Sequence, residues 1–307
     1  MTKSEANRKR KILARLKSKG LEILDEKEFL AAEKDNIVAI KKPDLTGRKY
    51  ILSFSGGKDS TAALIYLIKE RRLPLFVVFC DTFNESPETY RYVDYISGLL
   101  EEWGYPPVIK LAGQYSFYDL AKKKQRFPSI KARFCTGMLK IVPKIRWIQE
   151  QNFETDPVIT LGIRRDESVN RSKRHEWEFS CQVYDELLWN PLVDWNVKQV
   201  FAIHKKYGVE PNPMYKKGFK RVGCFPCVNC GRNELILMAK HYPERIEEID
   251  RWEKELDSTY LAPRKKGVIC KIHTQIRWAK KDGKDSKQGL LFPDASLCSY
   301  AGLGVCE

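Results

Sequence analysis

The residues whose spacing carries the most chemistry are Ser55-Gly56-Gly57-Lys58-Asp59-Ser60. Paired glycines let a backbone approach a ligand closely and turn its N–H groups inward. Lys58 adds a full positive charge, and Ser55 and Ser60 add hydroxyls. An apolar run, Tyr50-Ile51-Leu52-Ser53-Phe54, precedes the glycines, and Thr61-Ala62-Ala63-Leu64-Ile65-Tyr66-Leu67-Ile68 follows them. The pattern predicts a buried strand, a glycine turn and a capped helix. A helix start is partly positive, so this strand–loop–helix suits a phosphate or pyrophosphate. It is not a Walker A loop, which has a longer insert between its first glycine and its Gly-Lys pair. The plain alternative is a turn capped by Asp59 or Ser60.

A second constellation is Cys224-x2-Cys227-x2-Cys230. Two thiolates separated by two residues can share a metal ion, and a third at the same spacing suits iron–sulfur ligation. Gly223, Pro226 and Gly231 fit the tight turns of such a loop. The chain has nine cysteines. With no apolar export signal near the N-terminus, a disulfide framework is not expected, and metal or redox work is. Cys298 and Cys306 are candidates to complete a four-cysteine site with Cys224 and Cys227, leaving Cys135 and Cys230 for sulfur chemistry. Cys80, Cys181 and Cys270 read as ordinary small side chains. His175, His204, His241 and His273 show no mutual spacing suited to a site, and none is assigned a role.

Strand and helix patterns alternate around the loop. Strands are expected at 73–81, 108–111 and 158–163, and a short edge strand at 36–41. Helices are expected at 88–103, 117–124, 136–151 apart from Pro143, and 196–207. Such alternation predicts an α/β, doubly wound, mostly parallel sheet, with ligands beyond the carboxyl ends of its strands. Ser55, Asp81 and Gly162 fall at those ends. Residues 5–24 read as an amphipathic basic helix, so 1–45 form an N-terminal segment and 46–210 the nucleotide-binding domain. Residues 211–307 form a Cys-rich subdomain with an acidic helix at 243–256 and an irregular remainder.

The formal charge is +15 over 307 residues. Residues 121–149 hold nine Lys or Arg and no Asp or Glu, and residues 1–50 hold fourteen basic against eight acidic side chains. A polyanionic partner follows, either nucleic acid or a nucleotide, against the plain alternative of a basic surface. No apolar run approaches the roughly 20 residues that cross a bilayer. No membrane association is expected, and a cytoplasmic location is.

Several segments join the loop in a resemblance. Ser55 to Ser60 resembles the pyrophosphate loop of the adenine nucleotide alpha hydrolases, which cleave ATP between its α and β phosphates. Further segments are Cys80-Asp81-Thr82, Pro87-Glu88-Thr89, Arg133-Phe134-Cys135-Thr136, Leu139-Lys140, Leu161-Gly162-Ile163-Arg164 with Arg171, Asn212-Pro213-Met214-Tyr215 and Gly223-Cys224-Phe225-Pro226-Cys227. In this order they resemble the phosphoadenosine phosphosulfate (PAPS) reductase family over about residues 47–234. The resemblance implies that Ser55, Gly56, Gly57, Lys58, Asp59 and Ser60 hold phosphates, with Lys58 and Asp59 catalytic. It implies that Asp81 and Gly162 lie against the nucleotide and that Lys140, Arg164 and Arg171 hold phosphate or sulfate. For Arg164 the plain alternative is a pair with Glu167. Cys135 matches the family's cluster-side cysteine. It is therefore both a fourth metal ligand beside Cys224, Cys227 and Cys230 and a candidate sulfur carrier.

Two departures matter. Reductases of this family carry an altered loop and end in a catalytic Cys-Gly-Leu-His segment. Here the loop is intact and that tetrapeptide is absent. The resemblance thus implies an enzyme that uses ATP and Mg²⁺ to adenylate a substrate oxygen. Sulfur would then be transferred to it, in the manner of nucleic-acid sulfurtransferases, and a sulfur donor protein would be a partner. An iron–sulfur cluster is expected, with zinc as the alternative. Reduction of phosphoadenylyl sulfate is the second reading. A non-catalytic module binding nucleotide and nucleic acid around a structural metal is the third.

Overall fold

The computed structural model describes residues 3–25, 29, 37–181, 185–261 and 270–281. The expectations for Cys298 and Cys306 lie outside the described residues. Strand β2 (Tyr50–Phe54) is central to a seven-stranded sheet of order β1-β6-β7-β5-β2-β3-β4. The others are β1 (Ile37–Ala39), β3 (Leu75–Asp81), β4 (Ile109–Ala112), β5 (Val158–Thr160), β6 (Trp177–Ser180) and β7 (Glu186–Trp189). β2 runs parallel to β3, with Tyr50 opposite Leu75, and parallel to β5, with Tyr50 opposite Val158. β4 and β7 extend the parallel set on either side. Strands covered on both faces read as continuous apolar runs, and Ile51, Leu52, Val77 and Val78 are accordingly buried.

Beyond β7 the sheet turns antiparallel, β6 pairing with both β7 and β1. The sequence patterns missed the β6/β7 pair because buried charge interrupts both strands. Glu178, 2% exposed, accepts both Nε of Arg174 at 2.8 Å and the amide of His175 at 2.9 Å. Glu186 pairs with Lys144 at 2.7 Å, both side chains buried. A charge of this kind enters a strand only where a partner meets it.

Helix α1 spans Lys3–Ser18 and stops short of the expected residue 24. Gly20 takes a left-handed turn at φ 65°, and Ile23 then bridges Ile40. α2 (Lys58–Ile65) runs into a π-helical turn, Tyr66–Glu70. α3 (Pro87–Glu102) is capped by the Ser86 side chain, and α4 (Phe117–Lys124) by Ser116. The short α5 (Phe134–Thr136) continues through a π-helical turn, Gly137–Ile141, into α6 (Val142–Glu150). Pro143 falls in the first turn of α6, directly after the π-helical turn.

α7 (Val197–Lys206) carries a capping box between Asn196 and Gln199. α8 (Arg232–His241), α9 (Pro243–Glu255) and α10 (Ile272–Lys281) follow. α10 corrects the expectation of irregular chain after 256: Ile272, Ile276 and Ala279 share a helical face and are buried. One apolar cluster surrounds β2 and α2. Another joins Phe117, Leu120 and Phe127 to Phe225, Cys230, Tyr260 and Ile276, so α4 and the segment beyond Met214 share a core. Among the described residues no helix is long and apolar enough to cross a membrane.

Candidate functional site

The loop leaves the carboxyl end of β2 and is fastened from several sides. Gly56 sits at φ 78°, a conformation that excludes most side chains, and an added Cβ would meet Thr89 at 3.1 Å. Ser55 and Ser60 hydroxyls lie 3.1 Å apart, and Ser55 Oγ accepts the Gly57 amide at 3.3 Å. Ser60 and Thr61 hydroxyls both donate to the Gly57 carbonyl. Asn212 Nδ2 donates to the Gly56 carbonyl at 3.2 Å, and the Lys58 amide donates to the Tyr215 hydroxyl at 2.8 Å. The Asn212 and Tyr215 motif, read from sequence only as part of a resemblance, is thus a clamp on the loop.

Asp59, 1% exposed, lies between two cations. Its Oδ1 meets Arg164 Nε at 2.5 Å and its Oδ2 meets Lys58 Nζ at 2.7 Å. Arg164 is also paired with Asp166 and donates to the Trp195 carbonyl. Its guanidinium therefore braces the loop through Asp59, and the pairing with Glu167 expected as its alternative is made instead by Arg171. Breaking one side of such a buried pair strands a charge, so the three residues behave as a unit.

Gly162, just past β5, is pressed against the start of α2: an added Cβ would lie 2.8 Å from the Asp59 carbonyl and the Ser60 nitrogen. The close approach at this glycine is between strand end and helix start.

His204, whose sequence context points to no role, is 1% exposed behind the loop. Its Nε2 lies 2.9 Å from the Lys58 carbonyl and its Nδ1 3.1 Å from the Val209 carbonyl. A lone histidine on an amphipathic helix carries no signal of this role.

Asp81 ends β3 and accepts the Tyr90 hydroxyl and the Phe83 amide, each at 2.7 Å. Between the ends of β2 and β3 lies a cavity of about 40 Å³, lined by Ser53, Ser55, Cys80, Glu85, Lys140 and Gly223 among others. Burial pushes the Cys80 thiol up to about 11, which removes it as a nucleophile at neutral pH. Burial also raises the Glu85 carboxyl, while neighbouring Lys140 pulls it back. Lys140 lines the same cavity.

The cysteine loop closes the same cavity. Glu85 and Cys224 form an isolated antiparallel bridge, and the Phe225 amide donates to the Asn84 carbonyl at 2.6 Å. Phe225-Pro226 is a cis peptide, and the Cys230 amide turns back to the Cys227 carbonyl at 2.8 Å. Cys230 is buried, and Cys135 packs against the same apolar cluster. Burial, then the neighbouring Glu234, holds the Cys230 thiol well above its ordinary value; burial raises Glu234 itself to about 7. A single tetrahedral zinc at roughly 2.3 Å from each sulfur needs its thiolates closely gathered. Among the described residues no three cysteine sulfurs lie within 4.8 Å of one another.

The chain has clear relatives. It is 29% identical to an uncharacterized 37.8 kDa protein of Escherichia phage 186, over 84% of this chain and 96% of that one. It is 27% identical to the adenosine 5'-phosphosulfate reductase of Allochromatium vinosum, over 53% of this chain. That match spans 62% of the reductase, less than two thirds of its length. A crystal structure of phosphoadenylyl-sulfate reductase from Candida auris, in a phosphate complex, aligns at TM-score 0.44 and 20% identity, covering 57% of this chain and 81% of that one. Residues 49–230 match the phosphoadenosine phosphosulfate reductase domain, which spans the loop, Cys135 and the Cys224–Cys230 turn, and the chain belongs to that family.

Proposed function

We propose that the protein binds ATP at Ser55–Ser60, adenylates an oxygen of a nucleic acid and exchanges that oxygen for sulfur. The observation that carries this reading is the shared cavity. Ser55 of the phosphate loop and Gly223, next to Cys224, line one small cavity, so the loop and the cysteine turn adjoin at the strand ends.

In the first step an acceptor carbonyl oxygen attacks the α-phosphorus and pyrophosphate leaves. The loop amides and Lys58 stabilise the charge that builds on the leaving group. Arg164 and His204 hold those donors in place beforehand through Asp59 and the Lys58 carbonyl. In the second step a hydrosulfide-level sulfur, supplied by a donor protein, attacks the adenylated carbon. AMP leaves with the original oxygen, and the carbon retains sulfur. Mg²⁺ accompanies the ATP phosphates. Cys224, Cys227 and Cys230 with Cys135 would hold an iron–sulfur cluster, whose chemistry when bound is to carry sulfide or electrons.

Exposed cations support the nucleic-acid partner. Arg10, Lys11, Arg15 and Lys17 face solvent on α1, and Lys122, Lys123, Lys124, Arg126 and Lys131 face it on and after α4. The test is pyrophosphate release from α-labelled ATP with nucleic acid present. It is expected in the wild-type chain and lost in Lys58→Ala; no release from the wild type refutes the reading. The family match favours a second reading, reduction of an adenylyl sulfate, and sulfite formation from that substrate with a thiol reductant would select it.

A further inference from the structure

Glu85 lies behind the loop and has no part in the steps above. It is 9% exposed, and its Oε1 accepts the Thr82 hydroxyl at 2.7 Å. Its other oxygen, Oε2, is buried with no hydrogen-bond partner, and so is the Ser53 hydroxyl. Both side chains line the cavity of about 40 Å³ that also holds Ser55 and Lys140. Buried polar atoms are rarely left unmatched, because each forfeits its hydration without return. Two of them at one cavity mark a place built for a group that is not part of the chain. The space is small and polar-lined, and it suits a small polar group such as a hydroxyl or amino group.

We infer that Glu85 and Ser53 recognise the nucleoside of the bound nucleotide, Glu85 Oε2 accepting a hydrogen bond from a ribose hydroxyl or the adenine amino group. The inference rests on the reading that ATP phosphates occupy Ser55–Ser60. Ser55 of the loop lines the same cavity, so a group attached to loop-bound phosphates lies within reach of it.

The experiment measures binding of ATP, 2'-deoxy-ATP, 3'-deoxy-ATP and 6-deamino-ATP to the wild type, Glu85→Leu, Glu85→Gln and Ser53→Ala by calorimetry. One analogue is expected to bind the wild type at least about tenfold more weakly than ATP, as loss of a hydrogen bond to a charged group implies. That gap is expected to shrink to about twofold in Glu85→Leu and to narrow partly in Ser53→Ala. Glu85→Gln, which preserves the shape and the Thr82 contact, controls for folding. Which analogue shows the gap tells ribose from base. ATP binding with equal gaps in wild type and Glu85→Leu, or with no gap for any analogue, overturns the role of Glu85 alone. Absence of ATP binding by the wild type refutes the reading of the loop and the nucleoside assignment with it.

Discussion

Replacing Gly162 by alanine isolates how the sheet positions the loop. Gly162 has no left-handed backbone, so the substitution carries no φ penalty, and steric contact alone decides its effect. The new Cβ would lie 2.8 Å from Asp59 C and O and from Ser60 N, about 0.6 Å inside an ordinary 3.4 Å contact. All three neighbours are backbone atoms of the first turn of α2, so no flexible side chain can yield. That turn is itself tied down by Arg164, His204 and Tyr215. Overpacking of this kind costs about 1–3 kcal/mol. Urea unfolding of Gly162→Ala should show that loss as a lower midpoint at unchanged slope. On the proposal that the loop holds phosphate, displacing the first turn of α2 should lower pyrophosphate or ATP affinity about tenfold or more, 1.4 kcal/mol being a factor of ten. An unchanged midpoint together with unchanged anion affinity would refute the claim that Gly162 is needed for the loop's approach to β5.

Four other outcomes follow from the same geometry. Arg164→Met leaves Asp59 buried with only Lys58 opposite it and should cost about 3–5 kcal/mol of stability, read by denaturant titration. His204→Ala removes the contacts to the Lys58 and Val209 carbonyls and should cost about 1–3 kcal/mol, together with weaker nucleotide binding in the same calorimeter. Because the buried Cys80 thiol is raised from 9.0 to about 11, unfolding between those values releases a proton, so its contribution to stability is complete below 9.0 and declines as pH rises through 11. Cys80→Ala should flatten that stretch of the stability profile, and native Cys80 should resist alkylation at pH 8. Anaerobically purified protein should contain iron and acid-labile sulfide that Cys224→Ser and Cys227→Ser lose, whereas a zinc protein without sulfide would count against the cluster.

Much of the parallel core was legible because its strands are buried on both faces, and a run such as Tyr50-Ile51-Leu52-Ser53-Phe54 has few other uses. The antiparallel β6 and β7 were not legible. Glu178 and Glu186 look like surface residues until Arg174 and Lys144 are brought against them by the fold. The same limit explains Arg164. Residue type alone points to an oxyanion, and only packing shows the guanidinium turned to Asp59, 105 residues earlier in the chain.

By itself the sequence determined the loop, the alternation that places it at a strand end, and the cysteine turn, because these signals are local in chain and carried by residue type. Tertiary structure decided what braces them. His204, Asn212 and Tyr215 reach the loop from 146 to 157 residues away. Glu85 and Gly223 come to face one cavity because the segment after β3 pairs with the cysteine turn. Such contacts depend on which buried donors and acceptors the packed chain leaves to be matched, a balance that exists only once water has been excluded.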